Sequence, residues 1–174
     1  MVYFSFLAKD IIPASPEVPQ LNKILQDFKE LYLRQEDCDV TIRVKEQDFP
    51  AHKIILKARS PVLASTFRND MEEKATGIVN IEDCDPSTFS EFLLFLYCED
   101  VDNLSSENVF NLFTVADKYD VSDLSTKCLN FIKGNLSNDT FCETITLALR
   151  HTVTELVDLS TNFFIKNAGL FAFY

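Results

Sequence analysis

The stretch FPAHKIILKARSPVL, residues 49–63, carries most of the information about the fold. A short strand is predicted around Phe49, directly after a polar turn, and helical residues follow it. Ser60 and Pro61 fit the N-cap and the first position of a further helix, because a serine hydroxyl accepts an unpaired amide hydrogen and the fixed φ of proline suits a first turn. The stretch therefore predicts a strand followed by two helices.

Two more strands are predicted on either side of this stretch. Residues 39–44, DVTIRV, alternate polar and apolar side chains with a period of two, which is typical of a half-buried strand. Residues 77–81, GIVNI, predict another short apolar strand. Together with the strand at Phe49, these segments indicate a small sheet.

The second half of the chain predicts mainly helices, over residues 85–97, 103–119, 122–136, 138–150 and 153–166. Short polar side chains at helix starts accept unpaired amide hydrogens, so Asp85, Ser105 or Ser106, and Ser122 are the expected caps of the first three. The buried side of the first helix is expected to carry four apolar residues: Phe89, Phe92, Leu93 and Leu96.

An amphipathic helix is predicted before the first strand, over residues 21–33. Helical spacing places six apolar side chains on one face: Leu21, Ile24, Leu25, Phe28, Leu31 and Tyr32. A leading helix cannot form the middle of a core, so a stripe this wide must pack on its own domain, on a partner, or on both.

Composition limits the classes of partner. A chain of 174 residues with 47% hydrophobic residues and 16 Phe suits one domain with a buried core plus an appendage. The formal charge of −11, without a cluster of Lys and Arg, argues against nucleic acid as a partner. No apolar run approaches the roughly 18–20 residues of a membrane span, so no membrane partner is expected.

The residues that could carry chemistry do not form a recognisable site. The 5 cysteines are scattered, which fits reduced thiols in the nucleus or the cytoplasm. Neither His52 nor His151 has zinc-type spacing to a cysteine, and a Cys–His nucleophile pair would need an electropositive cleft. His52 is expected to have a structural role. We expect no metal, no cofactor, no small-molecule substrate and no enzymatic activity.

The motifs, in their order and spacing, resemble those of BTB/POZ domains. Residues 49–63 match the signature F-x-A-H-K-x-x-L-x-A-R-S-x-x-F, with Leu63 in place of the final aromatic residue. Residues 37–40 resemble the first strand of the family, residues 71–73 follow the signature helices at the expected distance, and residues 116–119 resemble its A-x-K-Y helix end. The similarity is greatest to MATH–BTB adaptors of the speckle-type POZ kind.

The resemblance implies an α/β fold, with a small sheet flanked by a cluster of helices and followed by a helix pair that begins a BACK-like region. The expected division is a strand-like piece and proline-rich linker (1–19), the BTB/POZ domain (20–136), the helix pair (137–169) and a tail (170–174). No space is left for a MATH domain, and we interpret the first dozen residues as the end of one.

The resemblance also implies partners and contact residues. A two-fold dimer with itself or a related BTB protein is expected through five residues: Leu21, Ile24, Leu25, Phe28 and Ile55. A cullin-3 scaffold is expected to contact Met71, Glu73 and Tyr119, since an apolar anchor supplies binding energy and a carboxylate fixes the register. The alternatives are a solvated helix end for Met71 and Glu73, and ordinary rim packing for Tyr119.

The expected function is that of a non-enzymatic adaptor in a cullin-3 ubiquitin ligase, which recruits substrates for ubiquitination and degradation. One alternative is a module that only oligomerises, or that pairs with full-length MATH–BTB adaptors and lowers their valency. Another is a corepressor-peptide-binding domain in transcriptional regulation, because Asp39 and Lys53 resemble a charged pair of repressor BTB domains.

Overall fold

The computed structural model describes residues 18–69, 77–101 and 104–171 of the chain. Eight helices and three strands lie in these ranges, so the α/β class is confirmed. In chain order they are α1 (Val18–Arg34), β1 (Val40–Val44), β2 (Gln47–Ala51), α2 (Lys53–Arg59), α3 (Pro61–Asn69), β3 (Ile78–Ile81), α4 (Pro86–Cys98), α5 (Val109–Lys118), α6 (Ser122–Gly134), α7 (Phe141–Arg150) and α8 (Thr154–Phe171).

The three strands form one sheet with the order β2-β1-β3. β1 pairs antiparallel with β2, which places Ile42 opposite Phe49, and parallel with β3, which places Ile42 opposite Val79. A parallel pair needs a crossover connection, and the segment that contains α2 and α3 provides it. Along β1, buried residues alternate with partly exposed ones, as its period of two predicts.

The core is centred on α4, which packs against α1, α2 and α5. The four residues predicted on its buried side are confirmed, because Phe89, Phe92 and Leu93 are each 0% exposed and Leu96 is 1% exposed. Burial of large aromatic side chains is a main source of the hydrophobic stabilisation of a domain this size.

The predicted helix caps are confirmed at one position and corrected at three. The cap position before α5 is occupied by Asn108 instead of Ser105 or Ser106. Ser60 caps α3, since its Oγ accepts a hydrogen bond from the backbone amide of Leu63 at 3.1 Å. Asp85 precedes α4 but makes no side-chain cap, because its carboxylate accepts a hydrogen bond from Lys45 instead. Ser122 is the first residue of α6, and Val121 occupies the cap position.

Two helices begin later than the sequence predicted. The helix expected from residue 103 begins at Val109, because the Asn108 side chain accepts a hydrogen bond from the backbone amide of Ser105 at 2.8 Å and stabilises a turn. The helix expected from residue 138 begins at Phe141, where Thr140 Oγ1 accepts from the amide of Ser137 at 2.9 Å. Such local side-chain bonds compete with the first turn of a helix.

α7 and α8 pack against each other and, although the sequence predicted them outside the core, join it through the buried residues Leu147, Ala148 and Leu156. α6 ends at Gly134 instead of residue 136, and α8 continues to Phe171 instead of ending at residue 166. Within the described ranges, no helix is both long enough and apolar enough to span a lipid bilayer. The boundaries predicted for the domain and its flanking segments stay predictions, and the strand-like piece at residues 1–12 lies outside the described residues.

Candidate functional site

α1 is held on the core by its C-terminal half. The Tyr32 ring lies 5.3 Å from the ring of Tyr97 on α4, and the Tyr32 hydroxyl is 3.3 Å from the hydroxyl of Ser90. Lys29 forms an ion pair with Asp100, just after α4. One edge of the predicted apolar stripe therefore packs on the chain itself.

The other edge of the stripe is exposed, with Leu21 45%, Ile24 48% and Phe28 40% accessible. A groove of about 200 Å³, here called the α1–α2 groove, runs along this edge. Its lining residues are Ile24, Leu25, Phe28, Ile55, Ala58, Arg59, Leu96, Tyr97 and Glu99. The structure thus brings together four of the five predicted dimer residues, and Leu21 lies one helical turn from Ile24 on the same exposed edge.

Several residues of this surface were missed by the sequence prediction. Ile54 on α2 is 77% exposed, and Arg59 ends the groove with an ion pair to Glu99 at 2.9 Å. Ile54 and Ala58 are four residues apart on the helix side away from buried Leu56, a signal that helical spacing could have provided. Arg59 and Glu99 are 40 positions apart, so only the fold reveals their contact.

The predicted scaffold-binding residues have different outcomes. Met71 and Glu73 lie outside the described residues, shortly after α3 ends at Asn69. Tyr119 is only 6% exposed, and its ring packs 5.3 Å from the ring of Phe92. This packing favours the rim-packing alternative for the ring, and a contact between Tyr119 and a scaffold stays a prediction.

Two charged side chains, Lys118 and Asp83, lie beside Tyr119. These three residues are here called the Tyr119 corner. The Lys118 ammonium donates hydrogen bonds to both carboxylate oxygens of Asp83, at 2.6 and 2.7 Å. It also lies 5.1 Å from the centre of the Tyr119 ring. The hydrogen bond from Lys118 lowers the pKa of Asp83, whereas burial raises the pKa of the Tyr119 phenol. The carboxylate is thus the charged acceptor of the corner.

A second groove, of about 580 Å³, lies between α5 and α7 and is here called the α5–α7 groove. Phe110 and Leu147 contribute apolar surface to it, and Glu107, Glu143 and Arg150 contribute charge. His151, which also lines this groove, ties the helix pair to the core because its Nδ1 is 2.7 Å from the Asp117 carboxylate.

His52, which lies between β2 and α2, is hydrogen-bonded to α4 and to the segment after α1, in agreement with a structural role. Its backbone amide donates to the Tyr97 hydroxyl at 2.9 Å, and that hydroxyl is 2.8 Å from His52 Nδ1. Nε2 lies 2.7 Å from the carbonyl oxygen of Glu36, which follows α1. Since the carbonyl can only accept, Nε2 carries the proton and Nδ1 accepts from Tyr97.

The charged pair expected from repressor BTB domains takes a different form here. Asp39 Oδ1 accepts a hydrogen bond from the backbone amide of Lys53 at 2.7 Å. A carboxylate at the first amide of α2 is stabilised by the unpaired N–H groups of the helix start. In this structure the Asp39 carboxylate therefore stabilises the start of α2 by its hydrogen bond with the main chain of Lys53.

Cysteine chemistry finds little support. Cys38 Sγ is 4.0 Å from His52 Nε2, but burial and the neighbouring Asp39 and Asp37 raise the pKa of this thiol. Burial likewise raises the pKa of Cys84 to about 11 and of Cys128 to about 12. A nucleophilic cysteine needs a lowered pKa. In the part of the chain that the structure describes, no group of three or more His, Cys, Asp or Glu side chains is placed to hold a metal ion.

Comparisons with known proteins agree with this architecture. A family model of the BTB/POZ domain matches residues 28–136. TD and POZ domain-containing protein 4 of Mus musculus is 34% identical over 144 residues, which is 82% of this chain and 39% of the mouse protein. TD and POZ domain-containing protein 5 of Mus musculus is 31% identical over 168 residues, which is 96% of this chain and 49% of that protein.

The chain thus spans less than half the length of these two relatives. BTB/POZ domains are protein-interaction modules, which mediate homo- or hetero-oligomerisation and bind partners, and they are not typically enzymes. Because the family match covers residues 28–136, most of the chain and every described strand, this chain belongs to the BTB/POZ domain family.

Proposed function

We propose that this chain is a dimeric adaptor that binds a cullin-3 scaffold in a ubiquitin ligase. The observation that carries the proposal is the exposed apolar surface beside the α1–α2 groove. Ile24 and Phe28 on α1 line the groove and are 48% and 40% exposed, and Ile54, which adjoins the lining residue Ile55 on α2, is 77% exposed. Monomeric proteins seldom expose large apolar patches to water, so we expect a partner to cover these side chains.

A second copy of the chain, or a related BTB protein, suits this surface. A stable dimer buries about 800 Å² per partner, which is an area that two helices can supply. The Arg59–Glu99 pair at the end of the groove adds polar groups to an otherwise apolar face, as in most protein interfaces.

The scaffold is proposed to bind on other parts of the molecule. Met71 and Glu73 are the candidate anchor and carboxylate, and the Tyr119 corner, beside the start of α3, is a further candidate contact. In MATH–BTB adaptors, which the chain resembles, a helix pair such as α7–α8 extends the cullin-docking surface. Catalysis would then reside in the ligase partners. The proposed location is the nucleus or the cytoplasm, since cysteines without disulfide bonds suit a reducing compartment.

The dimer is tested by light scattering on the purified chain and two matched variants. Phe28→Glu places a charge on the exposed stripe, and we expect it to give a monomer. Leu33→Glu is the control, because Leu33 is also an exposed apolar residue of α1, at 65%, but lies off the stripe. We expect this variant to stay dimeric. A wild-type monomer would contradict the dimer proposal.

The scaffold is tested by adding the N-terminal part of cullin-3 to the same samples. We expect the wild-type dimer to take up two scaffold molecules and Met71→Glu to abolish uptake without dissociating the dimer. A dimer that ignores the scaffold would leave an oligomerisation module, which is the alternative function.

A further inference from the structure

We infer that Asp83, held in place by Lys118, makes the polar contact of the Tyr119 corner with the scaffold, and that a hydrogen-bond donor of the partner, preferably Arg or Lys, binds it. This inference rests on the proposed scaffold binding. It changes the role of Tyr119 from a contact residue to a packing residue beneath the contact.

Exposure distinguishes the three residues of the corner. Tyr119 is 6% exposed, whereas the side chains of Lys118 and Asp83 are 44% and 65% exposed. The backbone of Tyr119 is also in use, because its carbonyl oxygen accepts a hydrogen bond from the Ser60 hydroxyl at 2.6 Å. A partner that approaches this corner therefore meets the charged pair before it meets the phenol.

The hydrogen bonds of the pair decide which partner group fits. Lys118 directs N–H groups to both oxygens of Asp83. Each carboxylate oxygen has more than one acceptor position, so Asp83 can accept further hydrogen bonds while Lys118 holds it. A cationic donor gives the strongest bond to such an acceptor. Contact with Lys118 fixes the carboxylate in one place and so reduces the entropy lost on binding.

The corner lies beside the start of α3. The Ser60 hydroxyl at the beginning of α3 donates a hydrogen bond to the carbonyl oxygen of Tyr119. Lys118 is the last residue of α5, and Asp83 follows β3, which ends at Ile81. Three elements that meet here therefore hold the charged pair at the surface.

The test measures the affinity of the full chain for the N-terminal part of cullin-3 by calorimetry, at low and at high salt. We expect Asp83→Asn to weaken binding about tenfold, because it removes a charge-assisted bond, and to make binding less dependent on salt. Tyr119→Phe should change the affinity less than about twofold, since the packed ring is retained.

Asp85→Asn is the matched control. Asp85 lies in the same turn, has a side chain 61% exposed and pairs with Lys45 through one carboxylate oxygen. Equal weakening by both Asn variants would overturn the specific role of Asp83, as would a Tyr119→Phe effect larger than that of Asp83→Asn. If the wild-type chain does not bind the scaffold, the proposed function and this inference both fail. Thermal unfolding of each variant checks that the fold is retained.

Discussion

α1 and α4 are both rich in large apolar residues, yet the fold uses them differently. Phe92 on α4 is 0% exposed, whereas Phe28 on α1 is 40% exposed. α4 packs against α1, α2 and α5, while α1 packs mainly on α4. The same type of side chain is thus buried in the core on one helix and left at the surface on the other.

The difference shows that an apolar stripe by itself does not say what will cover it. The stripe of α1 is wider than its contact with α4, so Ile24 and Phe28 remain beside the α1–α2 groove. In a module that mediates oligomerisation, the unused edge of such a helix is the natural place for a partner. The comparison predicts that substitutions on α4 change stability, whereas those on the outer edge of α1 change association.

The largest effect is expected for Phe92→Ala. The Phe92 ring contacts the rings of Phe89 and Tyr119, so the substitution leaves a cavity at the centre of the core. The cost should be about 3–5 kcal/mol of unfolding free energy, measured by urea denaturation. A loss as small as that of a surface substitution would contradict the central role of α4.

A smaller effect is expected at Tyr97 of α4. Its hydroxyl bonds His52, which in turn bonds the carbonyl oxygen of Glu36, just after α1. Burial raises the pKa of Tyr97 from its ordinary value of 10 to about 12. Because the pKa is higher in the folded state, the neutral phenol favours folding below pH 10, and this stabilisation is lost as the pH rises towards 12. A shift of this size corresponds to roughly 2–3 kcal/mol.

Tyr97→Phe removes this titration. At neutral pH it should lower the unfolding free energy by about 1–3 kcal/mol, since it leaves the backbone amide and Nδ1 of His52 without the hydroxyl. Denaturant unfolding at several alkaline pH values should show the wild type losing more stability than the variant. Parallel pH profiles would mean that the phenol does not titrate as proposed.

The ion pair between α1 and the end of α4 should contribute less. Lys29 and Asp100 have side chains 36% and 18% exposed. We expect Lys29→Met to lower the unfolding free energy by about 1 kcal/mol or less, because partly solvated pairs contribute little. A loss several times larger, measured by the same denaturation, would show that α1 depends on this pair more than on Tyr32 and its neighbours.

The smallest effect on stability is expected on the outer edge of α1. Ile24→Ser should change the unfolding free energy of the monomer by only about 0.5 kcal/mol, since Ile24 is 48% exposed. The same substitution should raise the dissociation constant of the proposed dimer about tenfold or more. Denaturation at protein concentrations below that constant measures the stability of the monomer. Light scattering at concentrations above it measures association. A large loss of monomer stability would remove the distinction between the two helices.

Much of the fold could be predicted because its signals are local. The period of two in β1, the apolar side of α4 and the Ser60 cap depend on residues close together in sequence, and the structure confirms them. Helix starts were less predictable. Asn108 and Thr140 form turns with their neighbours that compete with the first helical turn, so α5 and α7 begin later than the apolar pattern indicates.

The sequence by itself determined the family, the order of the elements and the face of α1 that carries apolar residues. Only the tertiary structure decided that one edge of this face stays exposed, that Tyr119 is buried, and that Lys118 holds Asp83 from a position 35 residues away. Periodicity is a property of consecutive residues, whereas burial and ion pairing depend on which distant elements meet. The candidate surfaces of this protein therefore became visible only when its helices were packed together.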